Sequence, residues 1–329
     1  MSAATPAATR PVVVVTRRLP AAVEDAIAER VDARFNTLDE PLDVAQLQAA
    51  MREADGVLCT VTDRMSAEVL RVPGRRARIV ANFGVGVNNV DLDAARECGV
   101  TVTNTPDVLT EDTADLAIAL VLAVARRLGE GERLVRAGAW TGWTPTQLLG
   151  TRVSGATLGI VGYGRIGQAT ARRAHFGFGM RVLYHSRRRR DRAPGDPPAE
   201  FRAELDALLA ESDVVSLHCP STPETRHLID ARALAAMRPT AFLVNTARGD
   251  VVDEAALVEA LRAGRIAGAG LDVYEREPRL ADGLRERPNV VLLPHLGSAT
   301  TETRVAMGLR ALANLEAFLG GGEPPDRVA

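Results

Sequence analysis

The sequence predicts an α/β protein of two units, each a parallel sheet with helices on its faces. Short apolar runs alternate with helical stretches along the whole chain, the pattern of strands joined by crossover helices. Midway lies Thr157-Leu-Gly-Ile-Val-Gly-Tyr-Gly-Arg-Ile-Gly167, a strand, a glycine turn and a helix start in immediate succession. At 329 residues the chain is long enough for two domains that each bury a core.

Taken in order, Pro11-Val-Val-Val-Val-Thr16 reads as a buried strand, and Ala21 to Arg30 and Val44 to Ala54 as helices. Gly56 to Thr60 is a second strand. Arg78 to Phe83 is a third, running into Gly84-Val-Gly-Val-Asn-Asn-Val-Asp91, which opens a helix over Leu92 to Cys98 before the strand Val100 to Thr103. In this turn Asn89 stands where a third glycine would be, and no acidic strand end follows. It reads either as a nest of backbone amides that takes a small carboxylate or as a plain tight turn.

The character changes after residue 107. Thr110-Glu-Asp-Thr113 opens a long helix through the apolar run Leu116 to Ala125 to Arg126-Arg127 and onward. A helix apolar on all sides must be buried, between domains or between subunits. Trp140 and Trp143, the only tryptophans, follow it as core residues or as interface anchors.

The central turn assigns a task to each glycine. Gly162 permits the tight turn, Gly164 lets the backbone approach a pyrophosphate, and Gly167 lets the helix over Gln168 to Ala174 sit against the strand. The second strand, Met180 to Tyr184, completes a βαβ unit, so the stretch reads as a dinucleotide site of the Rossmann type, the alternative being a glycine-rich turn that only packs. An NAD site places an acidic residue at the end of that strand to bind the ribose 2′-hydroxyl. Here the positions read His185-Ser-Arg-Arg-Arg-Arg190, and Ser186, Arg187 and Arg188 suit a 2′-phosphate instead. NADP(H) is therefore preferred, with NAD(H) the alternative. The competing reading is a solvated basic loop, since Arg187 to Pro198 is a low-complexity Arg/Pro stretch. Four further strands follow, over Asp213 to His218, Ala241 to Asn245, Gly268 to Val273 and Asn289 to Leu293, and a helix covers Thr301 to Leu319.

Composition narrows the function classes. Apolar residues make up 46% and charged residues 25%, as in a soluble globular protein. A net charge of -2 gives no reason to expect nucleic acid, and no stretch approaches a membrane span. Met1 to Thr9 reads as a disordered tail, not a signal peptide. Cys59, Cys98 and Cys219 give neither a disulfide framework nor metal spacing, so a reducing cytoplasm is expected and no metal. All 40 Lys+Arg residues are arginine, which excludes Schiff-base enzymes and Walker-type phosphate loops.

In an open parallel sheet ligands bind beyond the carboxyl ends of the strands. Polar residues just past the later strands are Arg248, Asp272 with Glu277, and His295. Arg248 can grip a carboxylate through two parallel hydrogen bonds and polarise the carbonyl beside it. His295 can give that oxygen a proton as hydride arrives at carbon, with Glu277 favouring the charged imidazole, raising its pKa and fixing its orientation. Of the five histidines, only His295 pairs by position with both Arg and Glu; His175, His185, His218 and His227 do not. Taken singly, Arg248 also reads as a surface ion pair, Glu277 as a loop carboxylate and His295 as a strand-end histidine hydrogen-bonded to backbone.

These residues resemble the D-isomer-specific 2-hydroxyacid dehydrogenases over nearly the whole chain. The motifs are Asn82 to Asp91, Thr105 to Asp115, Gly162-Tyr-Gly-Arg-Ile-Gly167, Asn245-Thr-Ala-Arg-Gly249, Gly270-Leu-Asp-Val-Tyr274 with Glu277-Pro278, and Pro294-His-Leu-Gly-Ser-Ala299. The resemblance implies Arg248, Glu277 and His295 as catalytic residues and the Val85-Gly86 backbone as a substrate carboxylate site. It implies cofactor contacts from Thr113, Gly162, Gly164, Arg165, Ile166, Gly167, Pro220, Thr225, Thr246, Ala247, Asp272 and Gly297. It further implies a Rossmann domain over 108–298 and a discontinuous flavodoxin-like substrate domain over 1–107 and 299–329. A homodimer joined through about 110–150 is implied as well. Within the family the chain is most similar to glyoxylate/hydroxypyruvate reductases, through Thr105 to Thr113, the paired tryptophans and Tyr184-His-Ser-Arg187. In some of those enzymes the second tryptophan reaches a neighbouring subunit's site, which would make Trp143 a substrate contact. Formate dehydrogenases of the family put Gln where Glu277 stands, and phosphoglycerate dehydrogenases usually have an acidic adenosine-strand end. The expectation is an NADPH-preferring reductase of small 2-oxo acids giving D products. The alternatives are an NAD-dependent member with a larger substrate and a nucleotide-sensing, corepressor-like binding protein.

Overall fold

The structure, a computed structural model, describes residues 10–191, 193 and 195–329. The reading of Met1 to Thr9 as a tail falls outside the described residues, as do two positions of the Arg/Pro stretch. The chain divides into two compact units. One runs to Leu109 and resumes over Thr300–Ala329, and the other is Thr110–Ala299.

The first unit is built from β1 (Val12–Val15), α1 (Ala21–Arg30), β2 (Asp32–Phe35), α2 (Val44–Glu53), β3 (Gly56–Thr60), α3 (Ala67–Leu70), β4 (Ile79–Phe83), α4 (Leu92–Cys98) and β5 (Thr101–Thr103). All its strand pairs are parallel and the order is β2-β1-β3-β4-β5, a flavodoxin-like arrangement. The sequence reading missed β2 and α3. Asp32-Ala-Arg-Phe35 has no apolar run because β2 is an edge strand whose residues alternate between solvent and partial cover. Side-chain oxygens start the helices: Asp43 and Gln46 form a reciprocal capping box on α2, and Asp91 accepts from the Ala94 amide on α4. Ile27, Leu47, Met51, Leu58, Met65, Leu70 and Ile79 are fully buried, each stabilising the fold by roughly 1.5–3 kcal/mol.

The second unit contains α5 (Thr110–Ala125), α6 (Leu128–Arg136), β6 (Thr157–Val161), α7 (Arg165–Phe178), β7 (Arg181–His185), β8 (Ala199–Phe201), α8 (Leu205–Glu211), β9 (Val214–Leu217), α9 (Ala231–Ala236), β10 (Phe242–Asn245), a 3₁₀ turn at Gly249–Val251, α10 (Glu254–Arg262), β11 (Gly268–Leu271) and β12 (Val290–Leu292). Among the described residues its seven strands are all parallel, in the order β12-β11-β10-β9-β6-β7-β8. Every strand therefore presents its carboxyl end on the same edge, and the order reverses between β6 and β9, where dinucleotide-binding sheets hold their ligand. Alternate residues serve opposite layers. Leu158, Ile160, Phe242 and Val244 pack with Leu120 and Val121 of α5, while Val161 and Leu243 pack with Leu208 and Leu209 of α8.

The long helix predicted from Thr110 onward breaks after Ala125, because Arg127 adopts a left-handed backbone (φ 55°) before α6. Nor is α5 buried all round within the chain. Ala117, Leu120, Val121 and Val124 are buried, whereas Ala119 is exposed and Leu116, Leu122 and Ala123 are partly so. Trp140 and Trp143 are 51% and 79% exposed, so neither belongs to a core. After the second unit the chain re-enters the first as α11 (Thr301–Leu319), which packs so closely on α1 that a Cβ at Gly308 would run into Val23. The last residues then pair with β5, Val328 N–H donating to Val102 O at 2.8 Å. Among the described residues no helix is long and apolar enough to cross a membrane.

Candidate active site

The β6–α7 turn has a distinct physical reason for each glycine. Gly162 takes φ +94°, and a Cβ there would strike the backbone of His218 and Cys219. At Gly167 a Cβ would strike the Gly162 carbonyl, so only glycine lets α7 lie against β6. Gly164, the N-cap of α7, differs: a Cβ would meet nothing within 4 Å. Its place at the amide-rich start of a 14-residue helix, beside open space, suits a phosphate group. Arg165 and Ile166 occupy the first turn of that helix.

Other strand ends surround this edge. After β7, Ser186 Oγ donates to Arg188 O at 2.6 Å, and Arg187 and Arg188 are exposed. Glu224 belongs to the same neighbourhood. Its carboxyl lies below the ordinary range, chiefly through the Thr222 hydroxyl and in part through the Arg187 charge. Past β9, Thr225 Oγ1 donates to Pro220 O at 2.7 Å. Past β10, the Asn245 side chain accepts from Ala247 N and donates to Arg248 O, shaping the turn that holds Thr246, Ala247 and Arg248. Thr246 Oγ1 is buried without a hydrogen-bond partner among the described residues.

The β11 and β12 ends hold a histidine–carboxylate pair. His295 Nδ1 lies 3.0 Å from Glu277 Oε2, and Glu277 Oε1 accepts from Tyr274 N at 3.1 Å. Burial pushes the Glu277 carboxyl up, but His295, the Tyr274 amide and the Arg248 charge together outweigh this and leave it below its ordinary value. His295 sits in the left-handed region (φ 57°), a conformation that needs support from its surroundings. Asp272 provides it: its carbonyl accepts from His295 N at 2.8 Å, and its carboxylate accepts from Leu296 N and Gly297 N at 2.6 and 2.8 Å. Thr113 of α5 closes the same turn, donating from Oγ1 to Gly297 O at 2.9 Å. Arg248 is mostly buried and its Nη1 donates to Ala247 O at 2.7 Å. Burial lowers its pKa, opposed by the nearby charges of Glu277 and Asp250.

One reading from sequence needs correction. His295 is not the only histidine with both partners, since His227 Nε2 lies 3.0 Å from Glu275 Oε1, which Arg226 also contacts at 3.3 Å. Sequence could not separate the two pairs, because Glu275 and Glu277 are two residues apart in one loop. Trp143 lies in the exposed stretch after α6, outside this set of strand ends. Val85 and Gly86 follow β4 in the first unit. Val85 is 37% exposed, and its carbonyl accepts from Asn104 Nδ2 at 2.8 Å while that of Gly86 accepts from Asn82 Nδ2 at 3.0 Å.

Residues 118–297 match the family model described as D-isomer specific 2-hydroxyacid dehydrogenase, NAD binding domain. The chain belongs to the D-isomer specific 2-hydroxyacid dehydrogenases. It is an NAD(P)-dependent oxidoreductase, and the resemblance read from its motifs is correct. Among relatives in this family, a glyoxylate reductase of Thermococcus onnurineus is 47% identical over 323 residues, 97% of this chain and 96% of that protein. A protein of Thermus thermophilus with a solved structure is 48% identical with a TM-score of 0.88, covering 97% of this chain and all of the other. An NADPH-dependent glyoxylate/hydroxypyruvate reductase of Sinorhizobium meliloti, crystallised with NADP and malonate, is 38% identical with a TM-score of 0.86, covering 98% and 97% of the two chains. The residues of this dehydrogenase fit a dinucleotide: the open Gly164 cradle and the unpartnered Thr246 hydroxyl both lie at carboxyl ends of the cofactor-type sheet.

Proposed function

We propose that the chain is a cytoplasmic, NADPH-preferring reductase of small 2-oxo acids, glyoxylate and hydroxypyruvate first, giving the D-2-hydroxy acid where the product is chiral. The observation that carries this reading is the 3.0 Å contact between His295 Nδ1 and Glu277 Oε2 on the edge that also holds the glycine turn. With Nδ1 engaged by the carboxylate, Nε2 is left to move the proton. His295 donates it to the substrate oxygen during reduction and recovers it from the hydroxyl in the reverse direction. Glu277 orients the ring and stabilises the imidazolium by its negative charge. Arg248 binds the substrate carboxylate and polarises the adjacent carbonyl, its partial burial strengthening the attraction. The nicotinamide supplies or takes the hydride. The Val85 and Gly86 amides are assigned to the substrate carboxylate; among the described residues of their own unit neither donates to a backbone carbonyl.

NADPH preference is supported by the absence of a carboxylate at the end of β7, where His185 is followed by Ser186, Arg187 and Arg188. The partly exposed apolar side of α5, with Trp140 and Trp143, supports a homodimer through this region, with Trp143 a substrate contact across the interface. The domain roles follow: 108–298 binds the cofactor, and 1–107 with 299–329 binds substrate. A panel of 2-oxo acids assayed with NADPH and with NADH tests the reading. Turnover of glyoxylate and hydroxypyruvate, faster with NADPH, is expected. Equal or better rates with NADH would overturn the cofactor preference, and preference for a larger branched acid would overturn the substrate.

A further inference from the structure

Glu254 is a buried carboxylate that neither the cofactor cradle nor the acid–base pair uses. It is 5% exposed at the first position of α10, and its hydrogen bonds go to backbone amides. Oε1 accepts from Glu275 N at 2.7 Å and Oε2 from Ala281 N at 3.1 Å. These two amides bracket the stretch that carries Glu277. A carboxylate removed from water stays charged only where other donors replace its hydration. Burial pushes the Glu254 carboxyl above its ordinary value, and the two amides offset this only in part. The backbone nearby is equally close. A Cβ at Gly249 would run into the Tyr274 carbonyl and the Glu275 nitrogen, so the turn after Arg248 already touches the start of the Glu277 stretch. A continuous path of contacts leads from Glu254 through Glu275 N to Tyr274 N, on to Glu277 Oε1, and from Glu277 Oε2 to His295.

We propose that Glu254 is a positioning residue for the acid–base pair: by clamping the Glu275 and Ala281 amides it fixes the 275–281 stretch so that Glu277 meets His295. The inference deepens the reading of Glu277 and His295 given above and rests on it. Glutamine is the informative replacement, because it keeps the volume but offers one oxygen to two N–H groups and turns its own amide donors toward the other. One amide is left unmatched, and the stretch between them gains freedom.

The test is a double-mutant cycle on the full chain with glyoxylate and NADPH, using Glu254→Gln, Glu277→Gln and both together. Glu254→Gln is expected to lower kcat roughly ten- to hundredfold, the scale of a misplaced catalytic group, with the KM for NADPH within about twofold. Its pH profile should move toward that of Glu277→Gln. Glu254→Asp, which keeps the charge, should recover part of the rate, and the double variant should be no slower than Glu277→Gln alone. Should Glu254→Gln fold poorly, the same cycle is read with Glu254→Asp, all proteins at one temperature at which each is fully folded. If Glu277→Gln is as active as the wild type, the reading of Glu277 falls. If Glu277→Gln is impaired but the Glu254 variants are not, or their losses multiply, that reading stands and the positioning role of Glu254 is overturned.

Discussion

Gly164 and Gly167 lie three residues apart at the start of one helix, yet the same substitution should fail at each for a different reason. In Gly167→Ala the new methyl meets the Gly162 carbonyl and, at 3.1 Å, Ile160 Cγ2, so α7 must move off β6. Overpacking of this kind costs about 1–3 kcal/mol. For a unit the size of Thr110–Ala299 that lowers the melting temperature by roughly 2–4 °C per kcal/mol, or about 2–12 °C in all. In Gly164→Ala the methyl enters open space at φ -81°, a conformation alanine accepts. Reduced freedom of the unfolded chain should then leave stability unchanged or raise it by about 0.4–1 kcal/mol. The space it fills is the one assigned to the pyrophosphate, so NADPH binding should weaken by at least about tenfold, the loss of roughly 1.4 kcal/mol. Calorimetry of the cofactor-free protein and NADPH fluorescence titration read the two effects separately. Tight NADPH binding by Gly164→Ala, or an unshifted melting point in Gly167→Ala, would refute the assignment of the two glycines.

The remaining predictions concern charge. His218, packed beside the glycine turn, is pushed down to about 4 by burial from its usual 6.5. The unfolded chain therefore binds the extra proton between those values, and stability should fall by about 3 kcal/mol as pH drops from 6.5 to 4, with no contribution above 6.5. Denaturant titrations across this range should show that loss in the wild type and a flatter profile in His218→Gln; parallel profiles would contradict it. On the adenosine side, Arg187→Ala should raise the KM for NADPH about tenfold and leave that for NADH unchanged, while Glu224→Gln should lower the KM for NADPH. Equal changes for both cofactors in either variant would count against a 2′-phosphate site there.

Much of this architecture is legible before folding is considered, because the buried parallel strands are continuous apolar runs. Val12–Val15, Gly56–Thr60 and Val214–Leu217 are wholly or largely buried, and the eye finds them unaided. What stays hidden is half-covered. β2 and β8 lie at sheet edges with polar residues on their open sides, so neither carries a hydrophobic signal. The helices α9 and α10 carry sequence signals of their own, Asp230 and Asp253 as caps ahead of Ala/Leu-rich periods. Position relative to strand ends places Arg248, Glu277 and His295 among the candidates for one site. It could not rank Glu277 against Glu275 or reveal that Glu254 is buried, since both depend on how the loop after β11 folds back over the start of α10.

In the proposed reaction His295 moves the proton while Glu277 holds the imidazole in place. Rapid mixing of the NADPH-loaded protein with glyoxylate, for the wild type and for His295→Gln, tests this most directly. His295→Gln is expected to consume NADPH about a hundred- to ten-thousandfold more slowly while binding it as tightly as the wild type. A His295→Gln rate within about threefold of the wild type would contradict it, since general acid catalysis is worth far more than that.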